Sequence, residues 1–128
     1  MYRLFAILLF TVTFACSEPS YRQGEYLYQA NCSSCHMDDG SGLGKNIPTL
    51  VASESIAAQR LQLPCIIRKG INAHQIDDQD DYQGAMPAFP KLTEAEVTNI
   101  ISYLLSEWNK DVPLLNAKEV KEALETCP

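Results

Sequence analysis

One stretch of this chain, Cys32-Ser33-Ser34-Cys35-His36, has residue types and a spacing that spell out a chemistry. Two thiols three positions apart can each close a thioether to a vinyl group of haem, and the histidine that follows can reach the iron from the same turn. A structural zinc half-site would want a second closely spaced Cys or His pair, whereas Cys16, Cys65 and Cys127 stand singly. A thioredoxin-like redox pair would want a strand–helix–strand setting, and no apolar/polar alternation flanks this pair. The motif therefore points to covalent attachment of one haem c through Cys32 and Cys35, with His36 on one side of the iron.

A second iron ligand must come from elsewhere, and Met37, His74 and Met86 are the candidates. Met37 is adjacent to His36 and cannot reach the opposite face. Met86 stands in the loop Gly84-Ala85-Met86-Pro87-Ala88-Phe89-Pro90, whose two prolines stiffen the backbone around a thioether. His74 stays open as the competing ligand.

The elements that must hold these groups read as helices. Ser20 can cap a helix from Tyr21 to about Ala30 that delivers the chain into Cys32, with Gly24, Leu27 and Tyr28 on one face. A glycine inside such a face usually marks close approach of another helix. Met37 to Leu50 reads as a loop of turn formers. Its Gly40-Ser41-Gly42-Leu43-Gly44-Lys45 string fits neither phosphate-binding template, because the glycine register is wrong and Asn46 follows the lysine.

Further on, Ser53 caps a stretch with Ile56, Ala57, Arg60 and Leu61 on one side. Pro64 opens another helix, and Gly70 suits its end. Residues Asn72 to Ala85 form a loop whose Asp77, Asp78, Asp80 and Asp81 read as a solvated acidic cluster, since the glycine turn and distal glutamate of a calcium loop are missing. Thr93 with Glu96 makes a capping box, followed by the stripe Val97, Ile100, Ile101, Leu104, Leu105 and Trp108. A last helix starts at Asn116, with Glu119 three residues on and Leu115 placed to staple against Val120. Nothing reads as a strand.

These residues together resemble the class I c-type cytochromes over roughly Tyr21 to Trp108. The resemblance rests on Gly24 and Tyr28, the Cys32 to His36 motif, Pro48 and Leu50 after a glycine-rich loop, Ile67 with Gly70, Met86-Pro87, and Tyr103 in the long helix. It implies a small all-α fold of about five helices around one covalently bound haem. It implies further that Gly24 and Tyr28 cross the long helix near Tyr103, that the Pro48 carbonyl holds the other ring nitrogen of His36, and that Met86 is the distal ligand. Asn109 to Pro128 is a C-terminal extension beyond the resemblance.

Export is expected from the first fifteen residues. Arg3 precedes a short apolar run from Leu4 to Phe14, too short to span a bilayer comfortably. Thr13-Phe14-Ala15-Cys16 resembles a bacterial lipoprotein signal, with Thr13 where leucine is usual; the resemblance implies cleavage before Cys16 and a lipid on it. The layout expected is therefore a signal peptide over 1–15, a tether over 16–20 and one cytochrome c domain over 21–128 that includes the extension 109–128. With two cysteines on haem and one on lipid, Cys65 and Cys127 remain as a pair for an oxidising compartment.

The formal charge is −6 for 128 residues. Such acidity disfavours nucleic acid and suits redox donors and acceptors with basic docking patches. No general acid, base or nucleophile constellation suggests an enzyme. The function expected is one-electron transfer between redox proteins of the bacterial cell envelope, with the protein periplasmic and membrane-anchored. The alternatives are a haem subunit or electron-entry module of a larger oxidoreductase, and a haem sensor or enzyme with an open iron site.

Overall fold

The structure, a computed structural model, describes residues 21–72 and 84–128. The expected signal peptide and lipid-bearing Cys16, the tether, His74 and the cluster Asp77 to Asp81 lie outside the described residues.

The longest helix organises the rest. Helix α5, Glu94–Trp108, starts at the Thr93/Glu96 capping box, with both reciprocal bonds formed. Its stripe of Val97, Ile100, Ile101, Leu104 and Leu105 is buried, each such side chain contributing about 2 kcal/mol on removal from water. Helix α1, Tyr21–Asn31, lies across it. A Cβ on Gly24 would sit 2.7 Å from the Tyr103 Cβ and closer still to the Asn99 carbonyl oxygen, so the crossing needs a residue without a side chain. Leu27 and Tyr28 follow on the same face and are buried. The Tyr28 ring lies 5.6 Å from Tyr103 and 5.1 Å from Trp108, with Tyr103 and Trp108 5.2 Å apart. Such tilted and edge-on pairings suit aromatic quadrupoles.

Between α1 and α5 come three short helices: α2, Ser33–His36; α3, Glu54–Ala58; and α4, Leu63–Lys69. Ser53 caps α3, accepting from the Ile56 N–H, and Gly70 ends α4. The one-sided helix expected through Leu61 is corrected here. Helix α3 stops at Ala58 and Arg60–Gln62 forms a 3₁₀ turn. A 3₁₀ turn rotates each residue further than an α-helix does, so Leu61 points outward and is 58% exposed.

Helix α6, Ala117–Glu125, begins at an Asn116/Glu119 capping box and buries Leu115 and Val120. Cys65 in α4 and Cys127 after α6 are joined by a disulfide, Cα–Cα 5.5 Å. Among the described residues there is no strand, only the isolated bridges Leu43–Ile47 and Ile71–Met86. The all-α expectation agrees with this. No helix of the described residues is long and apolar enough to cross a membrane.

Candidate haem site

Helix α1 runs almost directly into the motif. The Cys32 N–H donates to the Tyr28 carbonyl at 2.8 Å and the His36 N–H to the Cys32 carbonyl at 2.9 Å, so α2 is a single turn that presents Cys32, Cys35 and His36 together. Met37 then leaves the turn with φ +65°, a conformation that costs a non-glycine residue on the order of 1–3 kcal/mol. The buried Tyr28 hydroxyl donates to the Met37 carbonyl at 2.6 Å, which offsets part of that cost and fixes the exit.

The glycine-rich loop returns to the histidine. The Gly42 N–H donates to the His36 carbonyl at 3.1 Å, and the Leu43 N–H to the Ile47 carbonyl at 2.9 Å. Gly42 has φ +71°, and a Cβ there would lie 2.6 Å from the Pro48 oxygen. The loop therefore closes tightly only with glycine at this position. Closure brings the Pro48 carbonyl 3.1 Å from His36 Nδ1. A carbonyl can only accept, so Nδ1 carries the proton and donates, leaving the Nε2 lone pair for a metal. Burial lowers the His36 pKa against the opposing pull of the Pro48 bond, which favours the neutral imidazole that a metal requires.

Among the described residues, Cys32 and Cys35 are the cysteines outside the disulfide. Burial, with a smaller contribution from Cys35, pushes the Cys32 thiol up to about 11, unlike the depressed pKa of a nucleophilic redox cysteine. Nor does any group of three or more His, Cys, Asp or Glu among the described residues form a metal cage, which leaves the zinc reading without support there. A cleft of about 470 Å³ opens between Leu27 and Asn31 of α1 and Phe89 and Leu92 ahead of α5; Cys32, Cys35 and His36 are not among its lining residues. Two free thiols on one turn and an oriented imidazole fit a covalently bound haem.

Met86 lies on a separate segment, just ahead of α5. Its N–H and carbonyl both pair with Ile71 at 2.9 Å, and its half-buried side chain packs on the same apolar core as Cys32. The turn thus gathers Cys32, Cys35 and His36, the loop adds Pro48, and a separate element carries Met86.

Sequence reasoning missed Asn109. It is buried, accepts from the Ser53 N–H at 2.9 Å and donates to the Leu50 and Leu104 carbonyls at 2.8 and 3.1 Å, clasping the chain just past Pro48 to the end of α5. An asparagine directly after an apolar stripe is a helix-stop signal that could have found it.

Helices wrapped around a cysteine-pair and histidine turn define a c-type cytochrome. Residues 19–104 match the family described as cytochrome C oxidase, cbb3-type, subunit III, and the chain belongs to that family. It is also similar to cytochrome c6 of Cyanidium caldarium, 26% identical over 102 residues that cover 80% of this chain and 84% of that protein. Cytochrome c6 of Synechococcus sp. is likewise 26% identical, over 113 residues covering 84% of this chain and 92% of that protein. The chain is a class I c-type cytochrome with one covalently bound haem c, and it transfers electrons between redox partners.

Proposed function

We infer that Cys32 and Cys35 anchor the haem, that His36 and Met86 are its axial ligands, and that the protein is a one-electron carrier and not itself an enzyme. The observation that carries this reading is the His36 Nδ1 bond to the Pro48 carbonyl at 3.1 Å, because it fixes the tautomer and ring orientation that leave Nε2 free for iron. Haem c supplies a one-electron iron couple, whose potential a histidine–methionine ligand pair raises. Pro48 fixes the ring of His36, and the Gly42 turn keeps Pro48 in reach. The Ile71 pairing holds the Met86 backbone. His36 and Met86 would hold the iron between them and leave no position for a substrate, and the bound haem would supply electron transfer alone.

The finer cellular reading follows the sequence. Residues 1–15 direct export, Cys16 bears a lipid that tethers the protein to a membrane of the bacterial envelope, and 21–128 form the cytochrome domain. Its acidic surface meets basic docking patches on donor and acceptor. An absorption spectrum of the oxidised and reduced protein, with and without carbon monoxide and repeated for Met86→Ala, tests the ligand set. The wild type is expected to show the weak long-wavelength iron–sulfur band and to ignore carbon monoxide, while the variant loses the band and binds the gas. A wild type that lacks the band and takes up carbon monoxide overturns the carrier reading in favour of an open iron site. The family description names an oxidase subunit, and a resident subunit would copurify with its complex where a free carrier would not.

A further inference from the structure

Helix α4 and the two residues after it are the common support of two separate parts of the molecule. On one part, Ile71 and Met86 exchange both backbone hydrogen bonds at 2.9 Å and the Phe89 N–H donates to the Ile67 carbonyl at 3.1 Å. Arg68 Nη2 adds a bond to the Leu92 carbonyl at 2.7 Å. The Met86 segment is thus fastened to α4 along its whole length. On the other part, Cys65 is bonded to Cys127, and Lys69 Nζ donates to the Cys127 and Pro128 backbone oxygens. Arg60, just ahead of α4, donates to the Pro113 and Leu114 carbonyls and meets Glu119 at 3.3 Å.

Helix α4 has seven residues, too few to persist without tertiary support. What braces it therefore also braces whatever it carries. The family match ends at residue 104, so the segment 109–128 is a brace that the matched region does not contain.

We propose that the segment 109–128 is a positioning element for Met86: through the Cys65–Cys127 bond it steadies α4, and α4 keeps the Ile71–Met86 pair closed and the thioether on the iron. This rests on the reading of Met86 as distal ligand. A neutral thioether holds iron only as long as the loop bearing it stays shut, so the fraction of time the loop opens sets how readily an outside ligand replaces it. Cys65 and Cys127 touch no iron and act entirely through that fraction. Of the fasteners the disulfide is the strongest, because the Lys69 contact is solvent-exposed and the Arg60–Glu119 pair half-open.

Imidazole titration of the oxidised holoprotein, followed by its absorption spectrum, tests the proposal. The variant with both Cys65→Ser and Cys127→Ser is expected to bind imidazole on the order of tenfold more tightly than the wild type and to lose part of the iron–sulfur band while still folded. Wild-type imidazole affinity in that variant overturns the proposal even if its unfolding midpoint falls, since the disulfide would then be structural only. Should the double variant not accumulate as folded holoprotein, Arg60→Gln combined with Lys69→Gln decides. Tighter imidazole binding there supports the brace, and wild-type affinity overturns it. Met86→Ala separates the two readings. If it leaves the band and the imidazole affinity unchanged, the ligand reading fails and the brace with it. If it abolishes the band while the brace variants behave as wild type, the brace alone fails.

Discussion

The turn around His36 and the segment around Cys127 are held by different means. From Cys32 to Leu50 the chain is fixed mainly by backbone bonds between near neighbours, such as Gly42 to His36 and Leu43 to Ile47, and by left-handed glycine conformations, of which Gly42 is the tightest. From Asn109 to Pro128 it is fixed by side chains that reach across the molecule: Arg60, Lys69, Asn109 and a disulfide joining positions 62 apart in sequence. The first arrangement tolerates almost no change in shape. The second is a set of fasteners that can be removed one at a time.

The largest effect is therefore expected in the first region. Gly42→Ala places a methyl group 2.6 Å from the Pro48 oxygen, and closer still to the Ile47 oxygen, in a left-handed backbone, combining steric overlap with conformational strain for a loss of about 3 to 5 kcal/mol. Because one of the two oxygens struck is the acceptor of His36 Nδ1, the reduction potential should shift together with the urea midpoint. A drop in stability with the potential unmoved would show that Pro48 does not orient the histidine.

Next in size is the disulfide. Replacing Cys65 and Cys127 by serine is expected to cost about 2 to 4 kcal/mol by release of a long closed loop, read as a lower urea midpoint. Asn109→Ala should follow at about 1 to 3 kcal/mol, because the Ser53 N–H and the Leu50 and Leu104 carbonyls lose a buried partner. Asn109 stands where the two regions meet. If its loss alters the potential as well as the stability, it supports the Pro48 loop; if stability alone falls, it belongs only to the C-terminal fastening.

The same contrast explains what the sequence could disclose. The His36 turn was legible because its determinants are adjacent residues: two cysteines and a histidine at fixed spacing, followed by glycines. Helices α5 and α6 were legible because their apolar stripes and capping boxes are written within a few residues of each other. Arg60 was not. Grouped by helical period with Ile56, Ala57 and Leu61, it looked like part of an amphipathic face, whereas its guanidinium is committed to carbonyls more than fifty residues away. Asn109 and the Lys69 contact were hidden for the same reason. No local pattern records a partner that only the folded chain brings near. Cys65 and Cys127 could be paired by counting, but counting says nothing of what the bond supports.

The smallest expected effect is a matter of pH, and it sharpens the comparison at one residue. Glu119 accepts the Asn116 N–H and faces Arg60, and these hold its carboxyl below the usual range, the backbone bond first. Glu96 is lowered in the same direction by the Thr93 N–H and hydroxyl. A carboxylate whose folded-state pKa is depressed contributes stability that is fully present above its unfolded pKa and is lost as pH falls through the folded value. Acid titration should therefore erode both helix starts in the window below the ordinary glutamate range of about 4.3. Glu119→Gln keeps an acceptor for the Asn116 N–H but removes the charge facing Arg60, so its stability curve should be flatter than wild type in that window. Both groups are partly exposed, and the Arg60 share of the effect should fade with added salt. If Glu119→Gln leaves the acid limb unchanged at low salt, Arg60 fastens the C-terminal segment through the Pro113 and Leu114 carbonyls alone. The segment would then be held by geometry, as the His36 turn is, with charge contributing nothing to either.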